Sequence, residues 1–476
     1  MSSVIVVTKK DIFWSYIAKF LGIASGLIVL PFILNKLTPE EIGLNYLMLT
    51  IGSMVSLLDF GFSPQFGRNI TYAFSGAKDL AKEGFFNEQL SDTPNYRLVA
   101  TVILTAKNLY KKLSLFAFII MLTGGTAYVY YVTNGFVVVK NSLVIWLLYS
   151  VSVYFNIYFS YYSSLLTGRG LIKDQSISII LSKLTYFALT IILIILNWGL
   201  ISVVIANLVS PFIQLYYSHV KFYNKELKEQ LPDDISNEEY RKTLMTIWYN
   251  AKKLGIVFVG AYVINKMNLF VVGLFLPLAE TASYGLMVQI GTTMATMSSV
   301  LFVSYLPQFA NFQVTKQYKE LRDLLSASMT VFWVMMVCGS VFLFFYGDEI
   351  VQLIGSQTML PNRWICLLFF IFSALELNQS NFATIIVTSN RVPIVKPTII
   401  SGVAIVLMTF VVLYYTRWGI LGVVIVQAVV QLCYNDWKWP AQVLKELNTN
   451  FVEFVSSGFT YLSNKVKYAK NRYCSL

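Results

Sequence analysis

The chain has 476 residues, of which 56% are apolar and only 13% are charged, whereas an average soluble domain has about 25% charged residues. This composition excludes an ordinary soluble protein. The formal net charge is +12. Basic loops beside an anionic lipid leaflet are sufficient to account for that charge, so we expect no nucleic-acid partner.

Apolar stretches recur along the whole chain, each close to the length of about 20 residues that a helix needs to cross a hydrocarbon layer of about 30 Å. Residues 1–11 lack the layout of a cleaved signal peptide, so we expect the first helix to remain in the mature protein. The stretches predict an all-α polytopic membrane protein with twelve transmembrane helices, at residues 12–34, 42–66, 113–133, 143–166, 176–197, 200–221, 247–276, 281–306, 326–346, 364–388, 394–415 and 418–440.

The distribution of basic residues predicts the orientation in the membrane. With the N-terminus in the cytoplasm, most of the 36 Lys and Arg residues lie on the cytoplasmic side. By the positive-inside rule both termini are therefore cytoplasmic. One long cytoplasmic segment, 72–112, mixes charged and apolar residues, which predicts a helix on the membrane surface. The opposite side receives only Lys36, Lys140, Arg363 and Arg417.

The chain divides near its midpoint at a polar stretch, residues 222–246. We therefore expect an N-terminal six-helix bundle at 1–221, a linker at 222–246, a C-terminal six-helix bundle at 247–440 and a basic cytoplasmic tail at 441–476. The halves also share identities at one constant offset, which indicates parallel repeats with a site between them. The matched pairs are Glu41 and Glu280, Leu47 and Leu286, Met48 and Met287, Ile51 and Ile290, and Gly52 and Gly291.

Residues with catalytic or metal-binding chemistry are scarce. Cys338, Cys366, Cys433 and Cys474 are scattered without metal or redox spacing, which is typical of apolar filling. The single histidine, His219, lies at a predicted membrane edge. No phosphate-binding loop of the G-x-x-x-x-G-K-S/T type occurs. We therefore expect neither an enzyme nor a metal or organic cofactor.

Ionisable residues inside the predicted spans are the main functional signal, because charge in hydrocarbon is costly and usually faces a polar cavity. Lys19 lies about 10 Å into the first span at about 1.5 Å per residue, and Asp59 lies at a similar depth in the second. Two interpretations stay open: an ion pair that joins the two helices, or a site whose pair is opened by substrate. Arg68 is either a positive-inside anchor or a phosphate ligand that donates two parallel hydrogen bonds.

Further charges lie in later spans. Lys183 is in the fifth span, and Lys252 and Lys253 begin the seventh, where their flexible stems either reach the interface or line a cavity. Lys266 is near the middle of the seventh span, too deep for easy contact with water, which favours a functional role. Glu376 is central in the tenth span, where it either binds a proton or Na⁺ or is neutralised by a lysine such as Lys266.

The fourth span carries three tyrosines, Tyr154, Tyr158 and Tyr161, at a spacing that places them on one helical face, with Asn156 nearby. Tyrosine rings stack on sugar faces and their hydroxyls bond sugar hydroxyls. Helix packing with an aromatic belt at the interface explains the same pattern, so both interpretations stay open.

Three loose motifs are similar to those of a known family: Gly26–Pro31 followed by Leu37–Tyr46, Leu58–Phe62 followed by Arg68 and Asn69, and Ala282–Met287 followed by Leu306–Ala310. With these motifs the chain resembles the Wzx-type O-antigen flippases, which move polysaccharide repeat units. They belong to the multidrug/oligosaccharidyl-lipid/polysaccharide (MOP) exporter superfamily, which also holds multidrug exporters of the MATE kind and the lipid II flippase. The pattern of Asp59, Gly61 and Arg68 is the most specific of the three.

The resemblance implies a MATE-like, V-shaped pair of bundles. These would move an undecaprenyl-pyrophosphate-linked oligosaccharide, the O-antigen repeat unit of lipopolysaccharide biosynthesis, across the bacterial inner (plasma) membrane. The route would be alternating access through a cationic central cavity, from the cytoplasmic to the periplasmic leaflet. Expected partners are membrane lipid, an O-antigen polymerase and a chain-length regulator.

A pyrophosphate carries two or more negative charges, so basic residues in the inner half of the spans would attract it. A cation-coupled multidrug exporter of the same superfamily is the alternative, although cationic drugs favour an acidic or aromatic cavity. The expected pyrophosphate ligands are Lys19, Arg68, Lys183, Lys253 and Lys266.

Overall fold

The computed structural model describes residues 8–80, 91, 93–232, 234–388 and 393–473. All of the regular secondary structure in this part of the chain is helical. Contacts divide it into two compact units, Met1–Tyr262 and Val263–Leu476. The all-α class predicted from the apolar stretches is confirmed for these residues.

The first two helices of the first unit begin at polar caps. Thr8 and Thr38 each accept a hydrogen bond from the backbone N–H three residues later, and Asp11 and Glu41 return a bond to the cap residue. These reciprocal pairs satisfy backbone donors that a helix start leaves free. The helices are α1 (Lys9–Lys36), α2 (Pro39–Ser56), α3 (Phe62–Phe74), α4 (Tyr96–Ile120), α5 (Thr126–Val132), α6 (Ser142–Phe159), α7 (Tyr161–Gly168), α8 (Ile172–Ile195), α9 (Ile201–Phe222), α10 (Lys225–Gln230) and α11 (Asn237–Phe275).

The second unit consists of the end of α11 and all later helices. Its core gathers large apolar side chains from five helices, among them the fully buried Phe332, Phe382 and Phe454. The helices are α12 (Leu278–Ser298), α13 (Val300–Val314), α14 (Tyr318–Leu353), α15 (Arg363–Thr388), α16 (Val395–Tyr415), α17 (Gly419–Cys433), α18 (Asn435–Glu446) and α19 (Phe451–Tyr473).

Membrane-spanning helices are the dominant feature of both units. Within the described ranges, nine segments are long and apolar enough to cross a membrane, and the count becomes ten if α12 and the start of α13, which meet at 50°, form one span. The chain is therefore a multi-pass membrane protein. The other two predicted spans, 12–34 and 247–276, coincide with α1 and α11, which are only partly described. The total of twelve spans and the cytoplasmic termini remain predictions.

The second predicted span, 42–66, is not one straight helix. It breaks between α2 and α3, where Phe60 and Gly61 adopt left-handed backbone angles with φ of 45° and 72°. Asp59 lies in the short 3-10 turn at this break. Its Oδ2 accepts the backbone N–H of Ser63 at 3.3 Å, so the carboxylate caps the start of α3. The break therefore places an acidic side chain at a helix junction.

The cytoplasmic segment before the third span also differs from the prediction of a surface helix over 72–112. From Tyr96 the chain is helical through to Val132, a continuous run of 37 residues. The side chain of Asn95 accepts the backbone N–H of Leu98 and so starts α4. Residues 81–90 of the predicted surface helix lie outside the described part.

The unit boundary lies inside α11 and not in the predicted linker 222–246. The reason is that α11 is one helix of 39 residues whose first turns pack on the first unit. Trp248 of α11 stacks on Phe62 of α3, with ring centroids 5.6 Å apart. A Cβ added to Gly255 would meet the ring of Phe60.

The predicted tail, 441–476, also contributes to the second unit. Phe454 of α19 is fully buried and its ring centroid lies 5.7 Å from that of Phe382 on α15. Gly458 allows α19 to approach α14 closely, because an added Cβ would lie 2.6 Å from the carbonyl oxygen of Ser326. The first half of α19 is therefore packed.

The repeated identities Gly52 and Gly291 have the same packing role in each unit. A Cβ on Gly52 of α2 would overlap the hydroxyl of Tyr149 on α6, and a Cβ on Gly291 of α12 would lie 2.7 Å from the ring of Phe369 on α15. These helices contain the second and fourth spans of the first half and the eighth and tenth spans of the chain. The match supports a duplication of six spans.

The repeated glutamates Glu41 and Glu280 support the same conclusion. Glu41 Oε1 accepts the backbone N–H of Leu200 at 3.2 Å, beside Gly199, which has a left-handed φ of 60°. Glu280 Oε2 lies 4.0 Å from the position of a Cβ on Gly419, which has a φ of 53°. Each glutamate thus lies beside the glycine at the start of the last predicted span of its own half.

We expect Gly52→Leu and Gly291→Leu each to lower the free energy of unfolding by about 1–3 kcal/mol, because the larger side chain overpacks a filled helix crossing. The measurement is the midpoint of thermal unfolding of the full chain in detergent. Gly26→Leu is the matched control, since nothing lies within 4 Å of its Cβ position. Equal midpoints for all three variants would contradict the packing role.

Two ion pairs outside the apolar segments join the start of α11 to earlier parts of the first unit. Arg97 donates to both carboxylate oxygens of Glu239, with Nε–Oε1 at 2.6 Å and Nη2–Oε2 at 3.2 Å. Lys242 pairs with Asp79. The Arg97 guanidinium and the Ser236 cap lower the pKa of Glu239 from 4.5 to about 2.

The Glu239 pair makes stability depend on pH in acid. Because its folded-state pKa is lowered, the contribution is present above about pH 4.5 and is lost as the pH falls towards about 2. We expect Glu239→Gln to unfold at a lower temperature than the parent protein at pH 6, and this difference to shrink at pH 3. Glu238→Gln, an exposed neighbour, is the control and should match the parent at both values.

Candidate functional site

The two lysines predicted near the inner membrane edge lie on neighbouring helices of the first unit. Helices α1 and α8 run in parallel register, since Asp11 accepts the backbone N–H of Lys173 at 3.1 Å and the hydroxyls of Ser15 and Ser176 are 3.1 Å apart. Lys19 of α1 and Lys183 of α8 follow a few turns further along. Both side chains are exposed, and among the described residues neither forms an ion pair.

The other predicted pyrophosphate ligands are less completely defined. Arg68 on α3 is exposed, and its guanidinium lies 5.9 Å from the centroid of the Tyr72 ring. Lys252, which precedes the predicted ligand Lys253, has its Nζ 5.3 Å from the centroid of the Tyr249 ring. The side chains of Lys253 and Lys266 lie outside the described part of the chain. The assignment of the five basic residues to a pyrophosphate remains a prediction.

Asp59 is held by neutral partners. The hydroxyl of Tyr110 on α4 donates to Asp59 Oδ1, and the backbone N–H of Ser63 donates to Oδ2. Tyr110 is fully buried. Within the described residues no ion pair joins Lys19 to Asp59, and the role of the two residues stays a prediction. The Asp59 carboxylate instead lies against Tyr110 of α4 and the start of α3.

The tyrosines predicted to share one helical face lie in a row that ends at Tyr110 and Asp59. Tyr154 and Tyr158 are half-buried and stack with ring centroids 6.1 Å apart. Tyr158 contacts Tyr161 at 6.3 Å, and Tyr161, which is buried, contacts Tyr110 at 6.0 Å. The row therefore has a partly open end at Tyr154 and Tyr158 and a closed end at Asp59. Its role in sugar contact remains a prediction.

A hydrogen bond continues this cluster to the single histidine. Tyr162 lies beside Tyr161, with ring centroids 4.6 Å apart, and its hydroxyl is 3.0 Å from His219 Nδ1. The His219 ring also packs on Tyr223 at 4.8 Å. The cytoplasmic end of the first unit, as the charge distribution orients it, is therefore rich in aromatic hydroxyls.

The second unit contains a polar network centred on Glu376 of α15. One hydrogen-bond chain reaches it from α16 and α11. Thr409 donates to Asn268 Oδ1 at 3.4 Å, and Asn268 Nδ2 donates to Gln427 Oε1 at 2.9 Å. Gln427 Nε2 then donates to Glu376 Oε2 at 2.7 Å.

A second chain reaches the same carboxylate from α18. Trp439 Nε1 donates to Asn435 Oδ1 at 3.2 Å, and Asn435 Nδ2 donates to Gln431 Oε1 at 2.8 Å. Gln431 Nε2 then donates to Glu376 Oε1 at 3.4 Å. Both chains end with Glu376 as acceptor, which suits an ionised carboxylate because that group only accepts hydrogen bonds. Among the described residues its partners are glutamines; Lys266 is not described.

Sequence reasoning missed several residues of these networks. Tyr110 lies before the predicted third span and was assigned to a cytoplasmic segment. A signal did exist for the amides: Gln427, Gln431 and Asn435 recur every fourth residue in an otherwise apolar stretch and so form one polar stripe. Asp436 also falls inside the twelfth predicted span. It is 8% exposed, and its Oδ1 has no hydrogen-bond partner in the part of the chain that the structure describes.

Comparison with solved structures defines the class of fold. The chain superposes on an inward-facing multidrug resistance MATE family transporter of the MOP superfamily with a TM-score of 0.65, 12% identity, and 90% of this chain and 95% of that chain covered. It superposes on the lipid II flippase MurJ in an inward closed conformation with a TM-score of 0.59, 12% identity, and 95% and 90% covered. It superposes on a MATE transporter of Vibrio cholerae with a TM-score of 0.53 and 12% identity, and 94% of this chain and 98% of that chain are covered.

No protein-family model matches the sequence, and no curated protein matches it. At 12% identity the structural likeness establishes the fold alone. The chain is thus a multi-pass membrane protein with the fold of MOP-superfamily transporters.

Replacement of Tyr110 tests the closed end of the tyrosine row. We expect Tyr110→Phe to lower the free energy of unfolding by about 1–3 kcal/mol, because it leaves a buried carboxylate oxygen without its donor. Thermal unfolding in detergent is the measurement. The cost should be smaller when Asp59→Asn is already present, because the two side chains interact directly. Additive costs would contradict the contact.

Proposed function

We propose that this protein is a flippase of the bacterial inner membrane. It moves an undecaprenyl-pyrophosphate-linked oligosaccharide, the O-antigen repeat unit, from the cytoplasmic to the periplasmic leaflet by alternating access through a cationic cavity. In this proposal it is a transporter and not an enzyme. The O-antigen polymerase and the chain-length regulator receive the product and are its proposed partners.

The observation that carries the proposal is the contrast between acids and bases in the apolar helices. The carboxylates of Asp59 and Glu376 already accept hydrogen bonds from Tyr110 and from two glutamines. Lys19 and Lys183 are exposed residues, and within the described part of the chain neither has an acidic partner. A chain with occupied acids and available bases is suited to an anionic cargo.

The chemistry of the head group agrees with this contrast. A pyrophosphate accepts several charge-assisted hydrogen bonds, which Lys19, Lys183 and Arg68 are able to donate. The half-buried rings of Tyr154 and Tyr158 supply flat apolar faces with hydroxyls at their edges, which fits a sugar. The fold shared with a structure named as a lipid II flippase is consistent with a lipid-linked substrate.

The test is transport by the purified chain in proteoliposomes that contain an undecaprenyl-pyrophosphate-linked oligosaccharide. We expect Lys19→Gln and Lys183→Gln each to reduce the flipping rate about tenfold or more, since a hydrogen bond to a charged group contributes about 1.5–3 kcal/mol and about 1.4 kcal/mol is tenfold. Lys140→Gln, an exposed lysine in the loop after α5, is the control and should retain the parent rate.

Two results would contradict the proposal. One is a parent protein that does not flip the lipid-linked glycan. The other is an undiminished rate in the Lys19 and Lys183 double variant, with normal folding shown by an unchanged thermal midpoint. The second result removes the observation that carries the proposal, the availability of these two lysines.

A cation-coupled multidrug exporter is the second candidate, and the ionisable network around Glu376 is the observation that favours it. That candidate predicts that the parent chain lowers cellular accumulation of cationic dyes and that Glu376→Gln abolishes the effect. The flippase proposal predicts no dye efflux by either protein.

A further inference from the structure

The last helix, α19, is not among the segments of the described ranges that are apolar enough to cross a membrane, yet one side of it packs on the second unit. Phe454 is fully buried, a Cβ on Gly458 would lie 2.6 Å from the carbonyl oxygen of Ser326, and Tyr461 packs against the core of the unit. Phe454, Gly458 and Tyr461 are three or four residues apart, so they form one packed stripe along the helix.

The rest of α19 divides into two further sides. Phe459 projects about 140° away from Phe454, at about 100° per residue, and Val452, seven residues before Phe459, shares its direction. These two apolar residues are 55% and 77% exposed. The third side begins about 100° further round, and its exposed residues are polar: Glu453, Ser456, Thr460, Ser463 and Asn464. The helix therefore has a packed side, an exposed apolar side and an exposed polar side.

Contacts with α14 give the level of α19 relative to the apolar helices. The charged residues at the start of α14 end at Asp323, and a long uncharged stretch follows. The ring centroids of Phe451 and Trp333 are 5.5 Å apart, whereas Gly458 meets Ser326. The residue numbers run in opposite directions, so α19 is antiparallel to α14. It passes from the apolar part of that helix towards its charged start.

The basic end of α19 follows at the charged end of α14. Lys465 lies about 10 Å further along the helix than Gly458, at about 1.5 Å per residue. It is exposed, and its Nζ lies 6.0 Å from the ring centroid of Tyr305 and 5.1 Å from that of Tyr461. Tyrosine and lysine are typical anchors at a membrane–water interface. The sequence of the helix continues with three more basic residues, Lys467, Lys470 and Arg472.

A lipid surface is the partner that fits both exposed properties of α19. The apolar side lies beside the uncharged stretch of α14 and the basic end beside its charged start, which is the order of acyl chains and phosphates in one lipid layer. Positive charge at the phosphate level is complementary to anionic head groups. A second copy of this chain would instead bring the same positive charge against this one, which opposes association.

We propose that α19 is a binding surface for anionic phospholipid, in the leaflet at the charged start of α14. Val452 and Phe459 contact the acyl chains, and the basic end of the helix binds the lipid phosphates. The polar side faces water. This inference does not rest on the flippase proposal, since it concerns the surrounding bilayer and not the cargo.

The first experiment measures the accessibility of single spin labels on the full chain in vesicles of phosphatidylcholine and phosphatidylglycerol, with the native cysteines replaced by alanine. Labels at Val452→Cys and Phe459→Cys should collide with oxygen, which dissolves in lipid, several-fold more than with a water-soluble nickel complex. Labels at Ser456→Cys and Thr460→Cys are the matched controls from the polar side and should show the opposite preference.

The second experiment tests the charge with the label at Phe459→Cys. In vesicles of phosphatidylcholine alone, its oxygen-to-nickel collision ratio should fall about twofold or more, because no anionic head groups attract the basic end. Lys465→Gln with Lys467→Gln should cause the same fall in the mixed vesicles. Lys225→Gln with Lys228→Gln removes two exposed lysines of α10 and is the matched control, which should retain the parent ratio.

A third measurement keeps the native cysteines, so that a folding defect of the cysteine-free chain does not end the test. It is thermal unfolding of the full chain in detergent with either lipid added. Phosphatidylglycerol should raise the midpoint more than phosphatidylcholine does. The variant Lys465→Gln with Lys467→Gln should lose this difference, whereas the α10 control variant should keep it.

Three outcomes overturn the proposal. A label at Phe459→Cys that meets the nickel complex as often as the label at Thr460→Cys would place this side of α19 in water. A label there that is shielded from both reagents would show that protein covers it, either a second copy or another part of the chain. Ratios and midpoints that do not distinguish the two lipids would remove the anionic head group as the partner. None of these outcomes affects the flippase proposal, which is tested by transport of a lipid-linked glycan.

Discussion

The structure depends on one constraint, the cost of placing a charged or polar group among apolar helices without a partner. The acids and amides meet this constraint by hydrogen bonding to other helices, whereas the two lysines do not. Asp59 at the break between α2 and α3 takes the hydroxyl of Tyr110, and Glu376 takes two glutamine amides. Lys19 and Lys183 remain exposed on their unit. This difference in pairing is the physical basis for assigning an anionic cargo.

The same constraint explains why polar residues cluster and do not scatter. In the first unit, the hydroxyl of Tyr110 donates to Asp59, and ring contacts from Tyr110 through Tyr161 and Tyr162 lead to His219. In the second unit, amides at every fourth residue of α17 and at the start of α18 place donors around one carboxylate. Each cluster joins helices that are distant in sequence, so each also determines how the helices of its unit pack. Asp436 Oδ1 is among the buried polar atoms that have no hydrogen-bond partner within the described residues.

The two units repeat one plan of packing. Gly52 and Gly291 allow the second predicted span of each half to approach the fourth. Glu41 and Glu280 lie beside the glycine at the start of the sixth predicted span of their half. These contacts turn a weak match in apolar sequence into a structural equivalence. The polar clusters are not repeated, since Asp59 and Glu376 lie on non-equivalent helices. The duplicated framework therefore carries two different sites.

The sequence by itself determined the class of protein and the approximate position of its helices, because a span of hydrocarbon imposes a length and a composition that local residues must satisfy. It also identified Asp59 and Glu376 as unusual, since a charge in an apolar stretch is visible without any coordinates. Only the tertiary structure decided which partner each charge has, because those partners come from other helices. It also showed that α2 ends before Asp59, since the break depends on the left-handed backbone at Phe60 and Gly61. Asp436 shows the limit most clearly: it is one more polar residue near a helix end in sequence, and an unpaired buried acid only in the fold.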